Sequence, residues 1–286
     1  MDTAQFQRLE FLTTRLLIWQ RLLHQTQVRG DLPALQKQYS EPGSLVPFGF
    51  KAYSQNDEDG FIREIFNRIG TTNKSFVEIG AGDGLVNNTL FLLFQGWKGL
   101  WVDGSDSINN AISHYSDVIA RGQLTIRKAM VTPENIDSLV REGISGDELD
   151  LLSMDIDGND FHVLDKIRCV EPRVIIVEYN AKFPPPVRYC MRYNPSHAWD
   201  GSDQFGASLK WYEVKLAERG YCLVGCNITG TNAFFVRKDL TGDKFLQPFT
   251  AEKHYQPARY EMSQFMCDLS GHPTSYKTLA NAILEE

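Results

Sequence analysis

Short, nearly continuous apolar segments alternate with helical segments through the middle of this 286-residue chain, and this alternation constrains its fold more than any other feature. Apolar strands separated by helices are typical of a parallel sheet that is covered on both faces. The sequence therefore predicts an α/β protein with a doubly wound sheet. The strand candidates are 75–79, 99–103, 124–131, 149–155 and 173–179, with helices expected between them at about 88–95, 107–120, 133–142 and 160–169.

The end of this array predicts a change of direction in the sheet. A helix is expected at 207–219, and two more strand candidates, 221–226 and 232–237, follow it closely. Strands joined by so short a connection form an antiparallel hairpin, because parallel neighbours need a long crossover. We therefore predict a seven-stranded, mostly parallel sheet with a C-terminal antiparallel hairpin strand.

Both ends of the chain lie outside this pattern. An apolar stripe predicts a helix over residues 5–27, and its members are Leu9, Leu12, Leu16, Trp19 and Leu23. Such a helix either packs on its own domain or forms the seam of a homodimer. The sequence predicts three parts, which are an N-terminal helical extension over 1–49, a central domain over 50–240 and a C-terminal extension over 241–286.

Composition narrows the possible partners. The net charge is −7 and the chain has no run of Lys or Arg, whereas a general nucleic-acid binder needs a basic face. No apolar stretch reaches about 18 residues, so no membrane span is expected. The five cysteines are dispersed and form no CxxC pair, which predicts reduced thiols and a cytoplasmic protein.

A glycine-rich turn follows the first predicted strand. Glu78 precedes Gly80, Gly82 and Gly84, and such a turn lets backbone approach a ligand at the carboxyl edge of the sheet. A dinucleotide fold has the spacing GxGxxG, whereas this turn has GxGxG. The Glu78 carboxylate would repel a pyrophosphate and would suit a ligand that carries an ammonium and a sulfonium. Asp103, at the end of the second strand, could bind two ribose hydroxyls in either ligand, so an NAD-linked dehydrogenase stays as an alternative.

Three further segments strengthen this interpretation. Residues 53–59 (Tyr-Ser-Gln-Asn-Asp-Glu-Asp), 149–160 and 174–180, together with the glycine turn, resemble the FkbM-type methyltransferase family over roughly 50–240. The resemblance implies a class I methyltransferase fold, which is Rossmann-like, and transfer of a methyl group from S-adenosyl-L-methionine to a hydroxyl of a sugar, polyketide or related metabolite. The cofactor-binding residues expected are Glu78, Gly80, Gly82, Asp83, Asp103, Met130 and Asp155. A binding module that keeps this fold without turnover is the non-enzymatic alternative.

Acidic and amide side chains follow two neighbouring strands. Asp155 and Asp157 follow the fourth strand, Glu178 and Asn180 lie at the end of the fifth, and the carboxyl ends of parallel strands meet at one crevice. Oxygen ligands of this kind could hold Mg²⁺ or another divalent cation beside the methyl group. Alternatively, Asp157 could cap the next helix together with Asp160. Without a cation the carboxylates must share protons, and Asp155 and Glu178 would then act as acid and base.

The long connection at 181–206 is expected to bind the methyl acceptor, since a structureless loop of this length is usually functional. Aromatic rings and carboxylates are suited to a carbohydrate or another small polyol. His197 is the loop side chain best able to accept a proton at neutral pH, although it could equally serve only the loop backbone. The acceptor-binding residues expected are Tyr193, His197, Trp199 and Asp200.

Overall fold

A computed structural model of the chain describes residues 30–31, 33–144, 146 and 148–260. The chain divides into two compact units, Met1–Glu41 and Pro42–Glu286. In the first unit the described residues 30–31 and 33–40 are helical. The predicted helix at 5–27, and with it the proposed homodimer seam, lies outside the described residues. The predicted three-part division of the chain stays a prediction.

The second unit is built around a seven-stranded sheet in the order β3-β2-β1-β4-β5-β7-β6. Strands β1 to β5 are parallel, and β7 runs antiparallel to both β5 and β6. The predicted fold class, a doubly wound mixed sheet with the strand order of class I methyltransferases, is therefore confirmed. The strands are β1 (Ser75–Ile79), β2 (Lys98–Asp103), β3 (Leu124–Lys128), β4 (Leu151–Met154), β5 (Val174–Glu178), β6 (Tyr221–Cys226) and β7 (Asn232–Arg237).

Helices cover both faces of this sheet. A short 3₁₀ turn at Val46–Phe48 precedes the first of them. The helices are α1 (Glu58–Ile69), α2 (Leu90–Phe94), α3 (Ile108–His114), α4 (Ser116–Ala120), α5 (Ile136–Gly143), α6 (Asp160–Leu164), α7 (Leu209–Glu218), α8 (Lys238–Thr241) and α9 (Ala251–His254). Most of the predicted helices are present, although α6 is shorter than expected and the segment predicted as one helix at 107–120 is divided at Tyr115 into α3 and α4.

Two apolar cores hold the layers together, one on each face of the sheet. Helices α1, α2 and α3 pack on one face, where Phe61, Ile65 and Trp101 are fully buried. Helices α5, α6 and α7 pack on the other face, where Val140 and Tyr212 are fully buried. Because both faces are covered, the strands are apolar along almost their whole length, which is the pattern that made them visible in the sequence.

The order of the strands places the site. The chain winds outward through β1, β2 and β3, and then returns to place β4 on the other side of β1. Connections leaving β1 and β4 therefore diverge, and a crevice opens between them at the carboxyl edge of the sheet. In the part of the chain that the structure describes, no helix is long and apolar enough to span a membrane.

Candidate active site

A cavity of about 940 Å³ occupies this crevice. Its walls come from the loops that follow β1, β2, β3, β4 and β5, from the 181–206 loop, from the β6–β7 turn and from the segment ahead of α1. The lining residues are Gln55, Gly80, Gly82, Asp103, Gly104, Ser105, Met130, Val131, Thr132, Asp155, Ile156, Asp157, Asn159, Glu178, Lys182, Tyr193, Pro195, His197, Trp199, Phe205, Thr231 and Tyr260.

Glycine is required where the first loop meets the fourth. A Cβ atom on Gly80 would lie 1.5 Å from the carbonyl oxygen of Asp155, and Gly80 has a φ of +89°. Its backbone N–H donates to the carbonyl of Val102 at 2.8 Å. The loop after β1 is therefore pressed against the start of the loop after β4, and a ligand over Gly80 and Gly82 can approach bare backbone.

Glu78 and Asp83 hold the loop and do not line the cavity. The buried Glu78 carboxylate accepts hydrogen bonds from the backbone N–H groups of Asn88 at 2.8 Å and Thr89 at 3.2 Å. Burial raises the pKa of Glu78, although the donors at Thr89 and Asn88 oppose this shift. Asp83 accepts from the backbone N–H of Leu85 at 3.1 Å. Oxygens of both acids accept hydrogen bonds within the loop, and direct contact of these two acids with the cofactor stays a prediction.

Asp103 and Met130 lie at the β2–β3 end of the cavity, as expected for the adenosine end of a ligand. Asp103 accepts from the backbone N–H of Gly82 at 2.8 Å and from the backbone N–H of Ser105 at 2.7 Å. Met130 is 69% exposed, and its sulfur lies against Gly104. Trp101, by contrast, is fully buried and donates from its indole N–H to Thr89, so it belongs to the core.

Three of the four predicted metal ligands form a cluster at the β4–β5 end. Carboxylate oxygens of Asp155, Asp157 and Glu178 all lie within 4.8 Å of one another. Burial raises the pKa of Asp155 well above its usual range, and the charges of Asp160, Asp157 and Glu78 raise it further. Burial and the charge of Asp155 raise the pKa of Glu178 in the same way. This cluster has the oxygen donors that a hard cation prefers and the crowding that otherwise retains protons.

His197 is fixed beside this cluster by backbone. Its Nε2–H donates to the carbonyl of Asp157 at 3.0 Å, which leaves Nδ1 as the ring nitrogen that can accept a proton. A Cβ atom on Gly158 would lie 2.2 Å from the His197 ring, so the ring rests directly on that glycine. Asp157 itself has a φ of +54°, a left-handed conformation that is costly for a residue with a side chain.

Asn180 does not line the cavity, and its Oδ1 accepts from the backbone N–H of Lys182 at 3.2 Å, so its role as a metal ligand stays a prediction. Its buried amide donates to the backbone carbonyls of Asp203 at 2.9 Å and Phe205 at 3.1 Å, and it thereby ties the two ends of the 181–206 loop together. Asp160 accepts from the backbone N–H groups of Ile156 at 2.7 Å and Gly158 at 2.8 Å. The alternative prediction, that Asp157 and Asp160 cap the next helix, is wrong, because Asp160 bonds backbone that precedes α6 and the N-cap position has no side-chain hydrogen bond.

The 181–206 loop has no helix, and its one ladder contact pairs Cys190 with Ala207. Tyr193 and Trp199 line the cavity, and Trp199 is 53% exposed and packs edge-on against Phe205. Asp200 does not line the cavity, because its carboxylate turns back to accept from the backbone N–H of Ser202 at 2.9 Å. Its predicted contact with the acceptor is therefore not supported by the structure.

Sequence comparison bears on the same residues. Residues 78–206, which include the glycine turn, the carboxylate cluster and the long loop, match the family model of the methyltransferase FkbM domain. Residues 78–206 are therefore similar to the FkbM methyltransferase domain. The resemblance carried by its motifs is thereby confirmed. No curated protein matches the chain.

Solved structures similar to the chain share little sequence with it. The pyocyanin biosynthetic protein PhzM is 15% identical, with 62% of this chain and 54% of that chain covered and a TM-score of 0.38, so the chain spans about half of PhzM. Magnesium protoporphyrin IX methyltransferase (ChlM) from Synechocystis PCC 6803, solved with bound SAM, is 13% identical over 64% of this chain and 79% of that chain, with a TM-score of 0.41. The N-terminal domain of EvdMO1, solved with SAH, is 15% identical over 73% and 94%, with a TM-score of 0.39.

Several residues that line the cavity were not predicted from the sequence, among them Gln55, Lys182 and Thr231. Gln55 lies in the motif ahead of α1, Lys182 follows β5, and Thr231 closes the β6–β7 turn. Lys182 forms an ion pair with Asp203. The sequence did indicate a role for Gln55, because this residue lies in a segment that resembles the family. It gave no indication for Thr231, because the sequence of a hairpin turn does not show whether the turn borders a site.

Proposed function

We propose that the chain is an S-adenosylmethionine-dependent O-methyltransferase that acts on a hydroxyl of a sugar, polyketide or related metabolite. The observation that carries the proposal is that one cavity contains both bare glycine backbone and a cluster of three carboxylates. S-adenosylmethionine supplies a methyl group on a sulfonium, which is transferred to the acceptor oxygen in a single in-line displacement. The residues of this chain then have to bind the two molecules in line and take up one proton.

The β2–β3 end of the cavity suits the adenosine part. Oδ2 of Asp103 accepts from Gly82 and keeps capacity for one ribose hydroxyl. Oδ1 accepts from both the backbone N–H and the hydroxyl of Ser105, and it can take a second ribose hydroxyl when the Ser105 hydroxyl donates to Ser107 instead. Met130 offers an exposed apolar face for the base. A pyrophosphate would instead face Asp103, Asp155 and Glu178 in the same cavity, and this charge disfavours the NAD-linked alternative.

The β4–β5 end suits deprotonation of the acceptor. An acceptor hydroxyl that donates to Asp155 or Glu178 would lose its proton to a carboxylate whose raised pKa makes it a stronger base than usual. Nδ1 of His197 is the second candidate for the same proton. Mg²⁺ or a similar ion held by Asp155, Asp157 and Glu178 would supply Lewis-acid chemistry at that hydroxyl. Tyr193 and Trp199 offer ring faces on which a sugar or polyketide can stack.

A cytoplasmic location fits this activity. The described cysteines Cys169, Cys190, Cys222 and Cys226 are all free thiols, which is the state that a reducing compartment maintains. We propose this location on that basis and expect the fifth thiol, Cys267, to be free as well. Thiol counting in freshly prepared protein, under denaturing conditions, should therefore give all five cysteines.

Titration calorimetry tests the cofactor. The full chain is expected to bind S-adenosylmethionine and S-adenosylhomocysteine and to give no heat with NAD. Binding of NAD without binding of S-adenosylhomocysteine would overturn the proposal in favour of a dehydrogenase. Cofactor binding with no methyl transfer to a broad panel of hydroxylated acceptors, followed with labelled S-adenosylmethionine, would favour the binding module.

Chelation tests the cation. If the ion takes part, exhaustive treatment with a chelator should abolish methyl transfer and added Mg²⁺ should restore it. Calorimetry with Mg²⁺ alone, on wild type and on Glu178→Gln, provides a readout that does not depend on turnover. Methyl transfer that survives chelation would contradict a role for the cation. Asp155, Glu178 or His197 would then be the group that takes the proton.

A further inference from the structure

The segment ahead of α1 contributes a single side chain to the cavity. Ser54 and Asn56 are almost fully buried, whereas Gln55 between them is exposed and lines the cavity wall. Gln55 is not among the residues that the proposed function uses, although its segment is one of those that resemble the FkbM family. Its side-chain amide makes no hydrogen bond to the described residues, so its N–H groups are available to a ligand.

The backbone around Gln55 is held from both sides by two buried acids. One oxygen of Asp59 accepts from the N–H groups of Ala52, Tyr53 and Ser54 at 2.7, 2.6 and 2.9 Å. Glu58 accepts from the backbone N–H of Asn56 at 2.7 Å. The backbone is therefore held at three residues before Gln55 and at one residue after it, and the direction in which Gln55 leaves the backbone is fixed before any ligand binds.

The same network fixes where Gln55 lies along the cavity. Glu58 also accepts from the side-chain amides of Asn227 at 2.7 Å and Asn232 at 2.9 Å, which ties the segment to the β6–β7 hairpin. Asn232 stands opposite Glu178 in the β5–β7 pairing. Gln55 therefore lies toward the β4–β5 end of the cavity, and the Asp103 end is about three strand spacings, or roughly 14 Å, from Glu178.

The negative charges at the β4–β5 end determine which part of a ligand needs a donor such as the Gln55 amide. Asp155, Asp157 and Glu178 would attract the ammonium and the sulfonium of S-adenosylmethionine, but they would repel its carboxylate. Other side-chain N–H donors nearby are already engaged within the protein. Lys182 pairs with Asp203, and the indole N–H of Trp199 donates to the carbonyl of Ser202 at 2.9 Å. Gln55 can donate to an anion without first breaking a bond.

We infer that Gln55 binds the carboxylate at the amino-acid end of S-adenosylmethionine and donates to it from Nε2. The inference rests on the proposed function, because it takes the adenosine part to lie at Asp103. Gln55 is a binding residue in this arrangement and takes no proton. It places the sulfonium methyl between the glycine loop and the carboxylate cluster by holding the far end of the molecule.

Two ligands separate this role from a structural one. S-adenosylhomocysteine carries the amino-acid end, whereas 5′-methylthioadenosine keeps the adenosine and the thioether and lacks it. Calorimetry with both ligands would be run on wild type, Gln55→Ala, Gln55→Glu and the control Gln95→Ala, which changes an exposed glutamine outside the cavity. We expect Gln55→Ala to weaken S-adenosylhomocysteine by about ten- to a hundredfold, the effect of one hydrogen bond to a charged group, and to leave 5′-methylthioadenosine unchanged. Gln55→Glu should weaken S-adenosylhomocysteine more, through repulsion.

Four results would overturn the inference. Equal weakening of both ligands would mean that Gln55 only supports the wall. Unchanged S-adenosylhomocysteine binding with a higher KM for the acceptor would place Gln55 on the acceptor. Wild-type protein that binds neither adenosyl ligand would overturn the proposed function and the inference together, whereas normal wild-type binding with an unaffected Gln55→Ala overturns the inference alone. Thermal unfolding of each variant shows whether it has folded.

Discussion

Asp150 and Asp155 flank the same strand, β4, at opposite edges of the sheet, and their surroundings differ completely. Asp150, at the amino edge, is fully buried and accepts from the backbone N–H groups of Thr72 at 2.9 Å, Asn73 at 3.1 Å and Lys74 at 2.7 Å. It also pairs with Arg173 at 3.2 Å. Asp155, at the carboxyl edge, is surrounded by other acids, and only the backbone N–H of Asp157 partly offsets their effect on its pKa.

This contrast separates a structural carboxylate from a functional one. Donors arranged around Asp150 compensate for its burial, so its charge belongs to the fold. The crowded charges around Asp155 are an unfavourable arrangement in the free protein, and a ligand hydroxyl, an ammonium or a cation would relieve it. The cavity lies at the carboxyl edge, beside Asp155, so a ligand can reach this acid.

The largest effect is expected at Asp155. Asp155→Asn should lower methyl transfer by about 10²- to 10⁴-fold, the usual contribution of a proton-accepting group. The melting temperature should stay equal or rise, because the substitution removes one of several crowded charges. Activity assays and thermal unfolding, with Asp117→Asn as an exposed carboxylate control, measure both effects. If Asp155→Asn keeps its activity, Asp155 is not a functional carboxylate and its contrast with Asp150 does not hold.

The second-largest effect is expected on the free energy of unfolding, at Asp150 on the amino edge of the sheet. Asp150→Ala should lower the free energy of unfolding by about 3–5 kcal/mol, because Arg173 and three backbone N–H groups lose their acceptor. Asp150→Ala combined with Arg173→Met should lose less than the single substitution, since no buried charge is left unpaired. Urea denaturation checks both. A loss below about 1 kcal/mol for Asp150→Ala would show that the amino-edge pair is no more important than a surface pair.

Asp57 is a third kind of carboxyl, because it is buried, lies outside the cavity and has few hydrogen-bond donors around it. Burial, and then the charge of Glu58, raise its pKa to about 7. Between about pH 4 and pH 7 the folded state therefore binds a proton that the unfolded state releases, so the free energy of unfolding should fall as the pH rises through this window, by up to about 4 kcal/mol. Above about pH 7 this contribution should stay constant.

Asp57→Asn is the variant that isolates this carboxyl. Denaturation at about pH 5 and about pH 8 should show a smaller loss of stability in Asp57→Asn than in wild type. Other titrating groups are common to both proteins, so the difference between the two pH dependences reports Asp57 alone. Equal dependence in the two proteins would mean that water or a neighbouring donor already stabilises the charged form.

The sequence predicted the sheet well and the side-chain directions poorly. Apolar runs and helix periodicity are local properties, so β6 and β7 have the predicted bounds. Spacing also showed which residues follow which strand, and Asp155, Asp157 and Glu178 do meet. It could not show which way a side chain turns after a strand has ended, and it gave no indication that the Asn180 amide ties the loop ends together.

Tertiary hydrogen bonds also set the roles of two residues in ways that the sequence pattern does not show. Gln55 is directed into the cavity by Glu58, whose amide partners Asn227 and Asn232 lie about 170 residues along the chain. No local pattern reports such a contact. The position of Glu78 before the glycines likewise does not show that its carboxylate accepts from the backbone at Asn88 and Thr89. In both cases tertiary hydrogen bonds decide the role of a residue whose type and position in the sequence allow more than one.

The smallest effect is expected at Asp103, which combines the two kinds of carboxylate. It anchors the glycine loop through the N–H of Gly82 and its own loop through Ser105, and it also faces the cavity. Asp103→Ala should weaken S-adenosylhomocysteine by about 1.5–3 kcal/mol, the scale of charge-assisted hydrogen bonds to the ribose. It should weaken 5′-methylthioadenosine equally, because both ligands carry the ribose, and this distinguishes Asp103 from Gln55. Asp103→Asn keeps one oxygen to accept from Gly82, so it should preserve the melting temperature better than Asp103→Ala while still losing affinity. If Asp103→Ala lowers the melting temperature and leaves both affinities intact, Asp103 is a structural acid like Asp150. A position at the carboxyl edge would then not be enough to make an acid functional, because Asp103 after β2 and Asp155 after β4 would differ in role.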